Sequence, residues 1–296
     1  MLLVFIASIS FLSLSVPAQV SDSVPRLGLS EISQVNQGNS YVTFPADIGN
    51  IEPLWFEANI ISNFYIRQTR NSKLIGVLTP QIILRMYQEE SYPVRTPSYL
   101  PQITIYYLLK GKEYANQLSL FGRFAHHSNG QIGSFFDDDG RINLESGNFS
   151  TNFLEFGFIA TNKNARFNAV QFFKSSFEFH PQAWNADGLN ELYHKYRWHS
   201  ALSIFKLPAK SRVYPRKNAD ISLKGEATLM FGKPDTREGY PLDRLNLRLT
   251  FYYHPVFLED IGLFVQYYHG SDYYNIYFGN RLDLFRIGLM TEKLRF

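Results

Sequence analysis

From about residue 56 onward, apolar and polar side chains alternate with a period of two in one segment after another. That period puts the two kinds of side chain on opposite faces of a strand. In 245–253 the series Leu245, Leu247, Leu249, Phe251 and Tyr253 alternates with Asn246, Arg248, Thr250 and Tyr252. In 168–179, Phe172 and Lys174 fall on one side, and Phe173, Ser175, Phe177 and Phe179 on the other. Twelve strands are predicted, near 56–68, 74–87, 101–110, 117–128, 152–161, 168–179, 196–206, 219–231, 245–254, 262–269, 273–280 and 282–296. Turn-like pieces such as Gly111-Lys112, Asn162-Lys163-Asn164 and Gly232-Lys233-Pro234-Asp235 separate them. The number is even, and most segments are long enough to cross a bilayer as tilted strands. The pattern predicts an all-β fold, a twelve-stranded antiparallel transmembrane β-barrel with its apolar side outward.

The first residues, Met1-Leu2-Leu3-Val4-Phe5-Ile6 and on to about Val16, are apolar, and Val16 and Ala18 suit cleavage before Gln19. Residues 1–18 are therefore expected to be a signal peptide, although no Lys or Arg precedes Arg26. Residues 19–55 are polar with little alternation and are expected to form an N-terminal periplasmic segment. Residues 56–296 would be the barrel, with no second domain. No later run of 18 apolar residues offers a transmembrane helix. A net charge of +3, from 29 basic and 26 acidic residues, is too balanced to suggest nucleic acid. The absence of cysteine excludes disulfides and thiolate metal sites. The 26 Phe and 19 Tyr suit interfacial aromatic girdles. The C-terminal Leu294-Arg295-Phe296, a Phe closing an amphipathic strand, resembles the assembly signal of bacterial outer-membrane barrels.

Chemistry concentrates in Phe124-Ala125-His126-His127-Ser128-Asn129-Gly130. His126 and Ser128 are two residues apart, so on a strand they share a face at roughly 7 Å between Cα atoms. A serine needs a base to become nucleophilic, and neutral imidazole is the usual one. Counting back by twos from Ser128 gives His126, Phe124, Gly122, Leu120 and Leu118, the more apolar face. In a barrel that face meets lipid. His127 has the other parity and is expected to point inward. Asn152 shares its parity with Leu154, Phe156 and Phe158, again the apolar side. The remaining histidines show no metal-ligand spacing.

Glu89-Glu90-Ser91-Tyr92-Pro93-Val94-Arg95-Thr96-Pro97, followed by His126-x-Ser128-Asn129-Gly130 and by Tyr267-Tyr268-His269-Gly270-Ser271-Asp272, resembles the outer-membrane phospholipase A family. The resemblance spans residues 75 to 296 in scattered blocks. It implies a twelve-stranded barrel that hydrolyses phospholipid acyl esters with calcium and forms a reversible homodimer. It maps the catalytic serine and histidine onto Ser128 and His126, and the third member, an asparagine, onto Asn152. That amide oxygen would accept the Nδ1–H of the histidine. It maps the calcium positions onto Ser91, Gln131 and Asn148. Two departures stand out. The family has a basic residue where Gln131 stands, and the connection from Ser128 to Asn152 is longer here. The connection carries Asp137-Asp138-Asp139-Gly140, which lacks the full EF-hand spacing and reads as a solvated loop tip.

Two other functions fit parts of the pattern. A lipid A deacylase also carries a His-x-Ser-Asn motif on a barrel exterior, with an acidic third member. A porin-like barrel would carry the motif by accident.

Overall fold

The computed structural model describes residues 27–43, 54–67, 69, 72–91, 93–111, 116–164, 166–207, 221–232, 244–255, 257–258 and 260–291. The expected signal peptide and the terminal Phe296 lie outside them. Twelve antiparallel strands close on themselves. They are β1 (Tyr41–Thr43), β2 (Leu54–Ile61 and Phe64–Ile66), β3 (Leu74–Thr79 and Gln81–Tyr87) and β4 (Ser98–Tyr99 and Gln102–Lys110). Next come β5 (Gln117–Ser128), β6 (Ser150–Asn164), β7 (Ala169–Phe179) and β8 (Tyr196–Lys206). The last four are β9 (Ile221–Phe231), β10 (Leu245–Tyr253), β11 (Ile261–Ser271) and β12 (Arg281–Thr291). Each pairs with its neighbour in sequence, and β1 closes the ring by pairing with β12, Tyr41 opposite Met290.

The count of twelve matches the sequence expectation, but its membership differs at both ends. Tyr41–Thr43, expected to lie in the periplasmic segment, is the closing strand. Residues 273–280, expected to be a strand, form a loop with a 3₁₀ turn at Asn275–Tyr277. Their aromatic spacing has another cause: Tyr274, Ile276 and Tyr277 are buried beneath that loop. A second piece of 19–55 is also structured. Helix α1 (Leu29–Gln37) starts with the Gly28 N–H donating to the Glu31 carboxylate at 2.9 Å and ends at Gly38, whose φ is +81°. Gly tolerates that left-handed value without strain.

The alternation lands as expected. Ile105, Leu120, Phe124, Phe156, Leu249, Phe251 and Ile287 are exposed on the outer wall. A continuous apolar band of this kind is suited to lipid. No described helix is long and apolar enough to cross a membrane. The lumen is polar in its middle. Glu57 accepts from Arg85 and Arg286, Arg85 also holds Asp272, and Glu155 is bridged by Arg123 and Lys174. Charges this buried are tolerated because every carboxylate has a cation and hydrogen bonds.

Both ends of the lumen are plugged. At one end Leu29 and Ile32 of α1 pack with Ile75, Val77, Phe121, Phe172 and Phe205. The helix also meets the polar wall, with Gln37 donating to Thr104 and Tyr106 at 3.0 and 3.2 Å. At the other end the connections 129–149, 180–195 and 272–280 fold inward. Phe135, Phe149, Leu189, Tyr193, Tyr274 and Ile276 form a second core there. Beneath it lies a cavity of about 610 Å³ lined by both charged and apolar side chains, among them Glu178, Arg197, Arg248, Phe153 and Phe278.

Candidate active site at the barrel rim

Strand β5 runs up to this capped end and stops at Ser128. Its odd residues Ser119, Phe121, Ala125 and His127 are buried, whereas Leu120 and Phe124 are exposed. His126 and Ser128 therefore stand on the lipid side, as their parity predicts. β6 faces β5 in strict register, His126 opposite Asn152 and Ser128 opposite Ser150. On the other side of β5 the ladder is interrupted. Pro80 and Pro101 fall opposite each other between the paired rows Thr79–Gln102 and Ile82–Tyr99. Proline supplies no N–H to a ladder. The His126 N–H still reaches the Pro101 carbonyl at 3.0 Å, and Tyr99 pairs with Ser128.

His126 Nδ1 lies 2.9 Å from Asn152 Oδ1. The amide nitrogen of Asn152 donates to the main-chain oxygen of Trp184 at 2.9 Å. With its oxygen toward the imidazole, Asn152 accepts a proton held on Nδ1, and Nε2 keeps its lone pair. The Ser128 hydroxyl makes no hydrogen bond among the described residues, so it shares a face with His126 without being joined to it. Two residues beyond Ser128, Gly130 has φ +70°, and a side chain there would meet the Tyr99 ring at 3.4 Å.

His127 lies inside the wall. Its Nε2 is 2.5 Å from the buried Ser98 hydroxyl, and its ring meets Phe149 edge-on at 4.8 Å. It anchors the 129–149 connection instead of facing the bilayer. Asn129 braces the same connection. Its amide donates to Gly147 O at 2.8 Å, and its side-chain oxygen accepts from Phe149 N at 3.0 Å and Gln131 N at 3.2 Å.

The three residues mapped to calcium lie in two neighbouring connections. Ser91 is exposed on the turn between β3 and β4. Gln131 donates through its side chain to Thr96 at 3.1 Å, which ties that turn's base to the 129–149 connection. The Asn148 N–H donates to Gly133 O at 2.9 Å. Their available donors are neutral oxygens, hard ligands of the kind calcium takes, without a carboxylate. Among the described residues no group of three or more His, Cys, Asp or Glu could hold a metal. The acidic tip is closed by its own chain. Asp137 accepts from the N–H groups of Arg141 and Asp139 at 2.8 and 3.0 Å, and the Arg141 guanidinium pairs with both Asp137 and Asp139. The Arg141 N–H holds the Asp137 carboxyl below the usual range.

The contact made by Trp184 has no sequence signature, because it uses a main-chain oxygen 32 residues away. The Trp184 ring stands on the outer face edge-on to Phe124, 6.1 Å between centroids. It therefore flanks the site.

No family model matches the chain, and no curated protein sequence matches it. Among solved structures it is similar to outer membrane phospholipase A from Escherichia coli, with a TM-score of 0.56 and 16% identity, covering 86% of this chain and 93% of that one. A Salmonella typhi outer membrane phospholipase dimer with bound calcium gives a TM-score of 0.57 and 13% identity, covering 86% and 91%. An active-site mutant of the Escherichia coli protein gives 0.57 and 14%, covering 94% and 95%. Likeness at these identities is likeness of fold: the chain folds as a twelve-stranded barrel of the outer membrane phospholipase A kind.

Proposed function

We propose that the chain is a calcium-dependent phospholipase A of the bacterial outer membrane, hydrolysing acyl esters of phospholipids with Ser128, His126 and Asn152. The observation that carries this reading is the His126–Asn152 hydrogen bond at 2.9 Å on the lipid-facing wall, with Ser128 on the same face two residues on. Ser128 Oγ attacks the ester carbonyl while His126 Nε2 accepts its proton. Collapse of the tetrahedral intermediate expels the alcohol of the lysophospholipid, which takes that proton from His126. Water, deprotonated by the same nitrogen, then attacks the acyl-serine and releases the fatty acid, while His126 returns that proton to Ser128 Oγ. Asn152 stays neutral and holds the ring. The Gly130 N–H is the nearest main-chain donor for the oxyanion. Oxygens of Ser91, Gln131 and Asn148 would hold calcium, which would supply positive charge to stabilise the oxyanion. The calcium-bound dimer among the similar structures supports the ion and a homodimer, which we take to be reversible.

A lipid-facing nucleophile takes its substrate sideways from the leaflet. The α1 plug and its apolar cluster speak against a through-pore. Incubation of the purified barrel with phospholipid vesicles or with lipopolysaccharide, with calcium or chelator, tests the reading. Fatty acid release from phospholipid only with calcium is expected. Acyl release from lipopolysaccharide alone would make the chain a lipid A deacylase, and release from neither would make it a non-enzymatic barrel.

A further inference from the structure

The connection after β7 leaves the lumen, crosses the rim and returns. His180 sits inside, where Nδ1 is 2.8 Å from Thr151 Oγ1 and Nε2 is 2.7 Å from Glu178. The chain then makes a 3₁₀ turn at Gln182–Trp184 on the outer side. Asn185 brings it back. Its side-chain oxygen accepts from Thr151 Oγ1 at 2.6 Å, and its amide donates to Asn190 Oδ1 at 2.7 Å. The Asn190 amide donates to Gln182 O at 3.1 Å, and Ala186 N donates to Ser150 O at 2.7 Å. The turn is thus fastened to Ser150 and Thr151, the two residues before Asn152. Its outward group is the Trp184 oxygen, which accepts from Asn152.

A side-chain amide has the same shape with its oxygen and nitrogen exchanged. The Trp184 oxygen can only accept, so the Asn152 nitrogen must face it. The oxygen is left for His126, and the proton is drawn to Nδ1. We propose that the strap His180–Asn190 is a positioning device for the Ser128–His126 site: Asn185 holds the Trp184 carbonyl, which decides the end of Asn152 that faces His126 and so the nitrogen of His126 that carries the proton. The catalytic consequence rests on the phospholipase reading. The tautomer itself does not.

The test uses the full-length barrel in detergent, with Asn185→Ala and, as a second variant away from Thr151, Asn190→Ala. Nitrogen-15 spectra of labelled histidines, with the His126 signal assigned by its loss in His126→Gln, report the tautomer directly. The wild type should show Nδ1–H, and both variants should show mixed tautomers with their barrels intact on unboiled gels. Phospholipid kcat should fall roughly ten- to hundredfold, the usual cost of removing a group that orients a first ligand, with KM little changed. In an Asn152→Ala background, Asn185→Ala should cost nothing more, because the effect passes through Asn152. An unchanged tautomer in both folded variants, or full additivity with Asn152→Ala, would overturn the proposal. A tautomer that depends on Asn185 in a barrel that hydrolyses no phospholipid would keep the strap and overturn the phospholipase reading instead.

Discussion

His126 and Asn152 face each other directly across β5 and β6, Nδ1 to Oδ1 at 2.9 Å, in the same row as the open ladder at Pro101. The ring is therefore held on the outer wall from the β6 side. Its outward nitrogen is left toward the face that carries Ser128.

That geometry separates the two adjacent histidines. Ser128→Ala and His126→Ala should each abolish phospholipid hydrolysis while leaving a folded barrel, read as a mobility shift on boiling. His127→Ala should keep most of the activity and instead loosen the cap, because it loses the Ser98 bond and the Phe149 contact. A dead His127→Ala with an active His126→Ala would reverse the assignment.

In the proposed triad Asn152 orients His126 and transfers no proton. Asn152→Ala should lose roughly two to four orders of magnitude in kcat, the range seen when an orienting group is removed from a triad. It should stay measurably above Ser128→Ala in a long vesicle assay. Wild-type rates would place the third member elsewhere.

Glu57 is fully buried and accepts from Arg85, Arg286, Tyr41 and Tyr273. Glu57→Ala removes the carboxylate that joins Arg286 to Arg85, leaving Arg85 with Asp272 and Arg286 with the Tyr273 hydroxyl. It should cost about 3–5 kcal/mol, the usual penalty for breaking a buried ion pair by removing one partner. Urea unfolding in lipid vesicles measures it, and a shift under about 1 kcal/mol would mean that water reaches the cluster.

Much of this is legible in the sequence. The outward parity of His126, Ser128 and Asn152 follows from period-two counting, since alternation along a strand leaves no freedom once one face is apolar. Other parts are not. Tyr41–Thr43 is too short to show a period. α1 meets an apolar cluster mainly through its first turn, and its end meets the polar wall, where Asn36 and Gln37 bond to Tyr106 and Gln37 to Thr104, so its sequence lacks the usual wide apolar stripe. Residues 273–280 imitate a strand because a dense run of Tyr273, Tyr274, Ile276, Tyr277 and Phe278 packs into the cap. The Trp184 carbonyl carries no side-chain signal at all.

The plug at α1 has a consequence for transport. In planar bilayers the intact protein should give no steady large conductance. Ile32→Asp puts a carboxylate among Ile75, Val77 and Phe172 and should admit current bursts and lower resistance to urea. A steady open channel in the wild type would favour the porin-like alternative.

Calcium should govern activity without governing folding. Chelation should silence hydrolysis while the barrel keeps its β-rich circular dichroism, and Ser91→Phe should raise the calcium requirement or abolish activity. Cross-linking in detergent should give more dimer with calcium and a substrate analogue than with chelator. Full activity in excess chelator would remove calcium from the account.

The central claim is that Ser128 is a nucleophile exposed to lipid. A fluorophosphonate carrying a long alkyl chain, applied to the barrel in detergent with calcium and followed by peptide mass spectrometry, tests it most directly. The account predicts one adduct, on Ser128, absent from Ser128→Ala and strongly reduced in His126→Ala. An adduct on another serine, or none on a protein that is hydrolysing phospholipid in the same preparation, would contradict it.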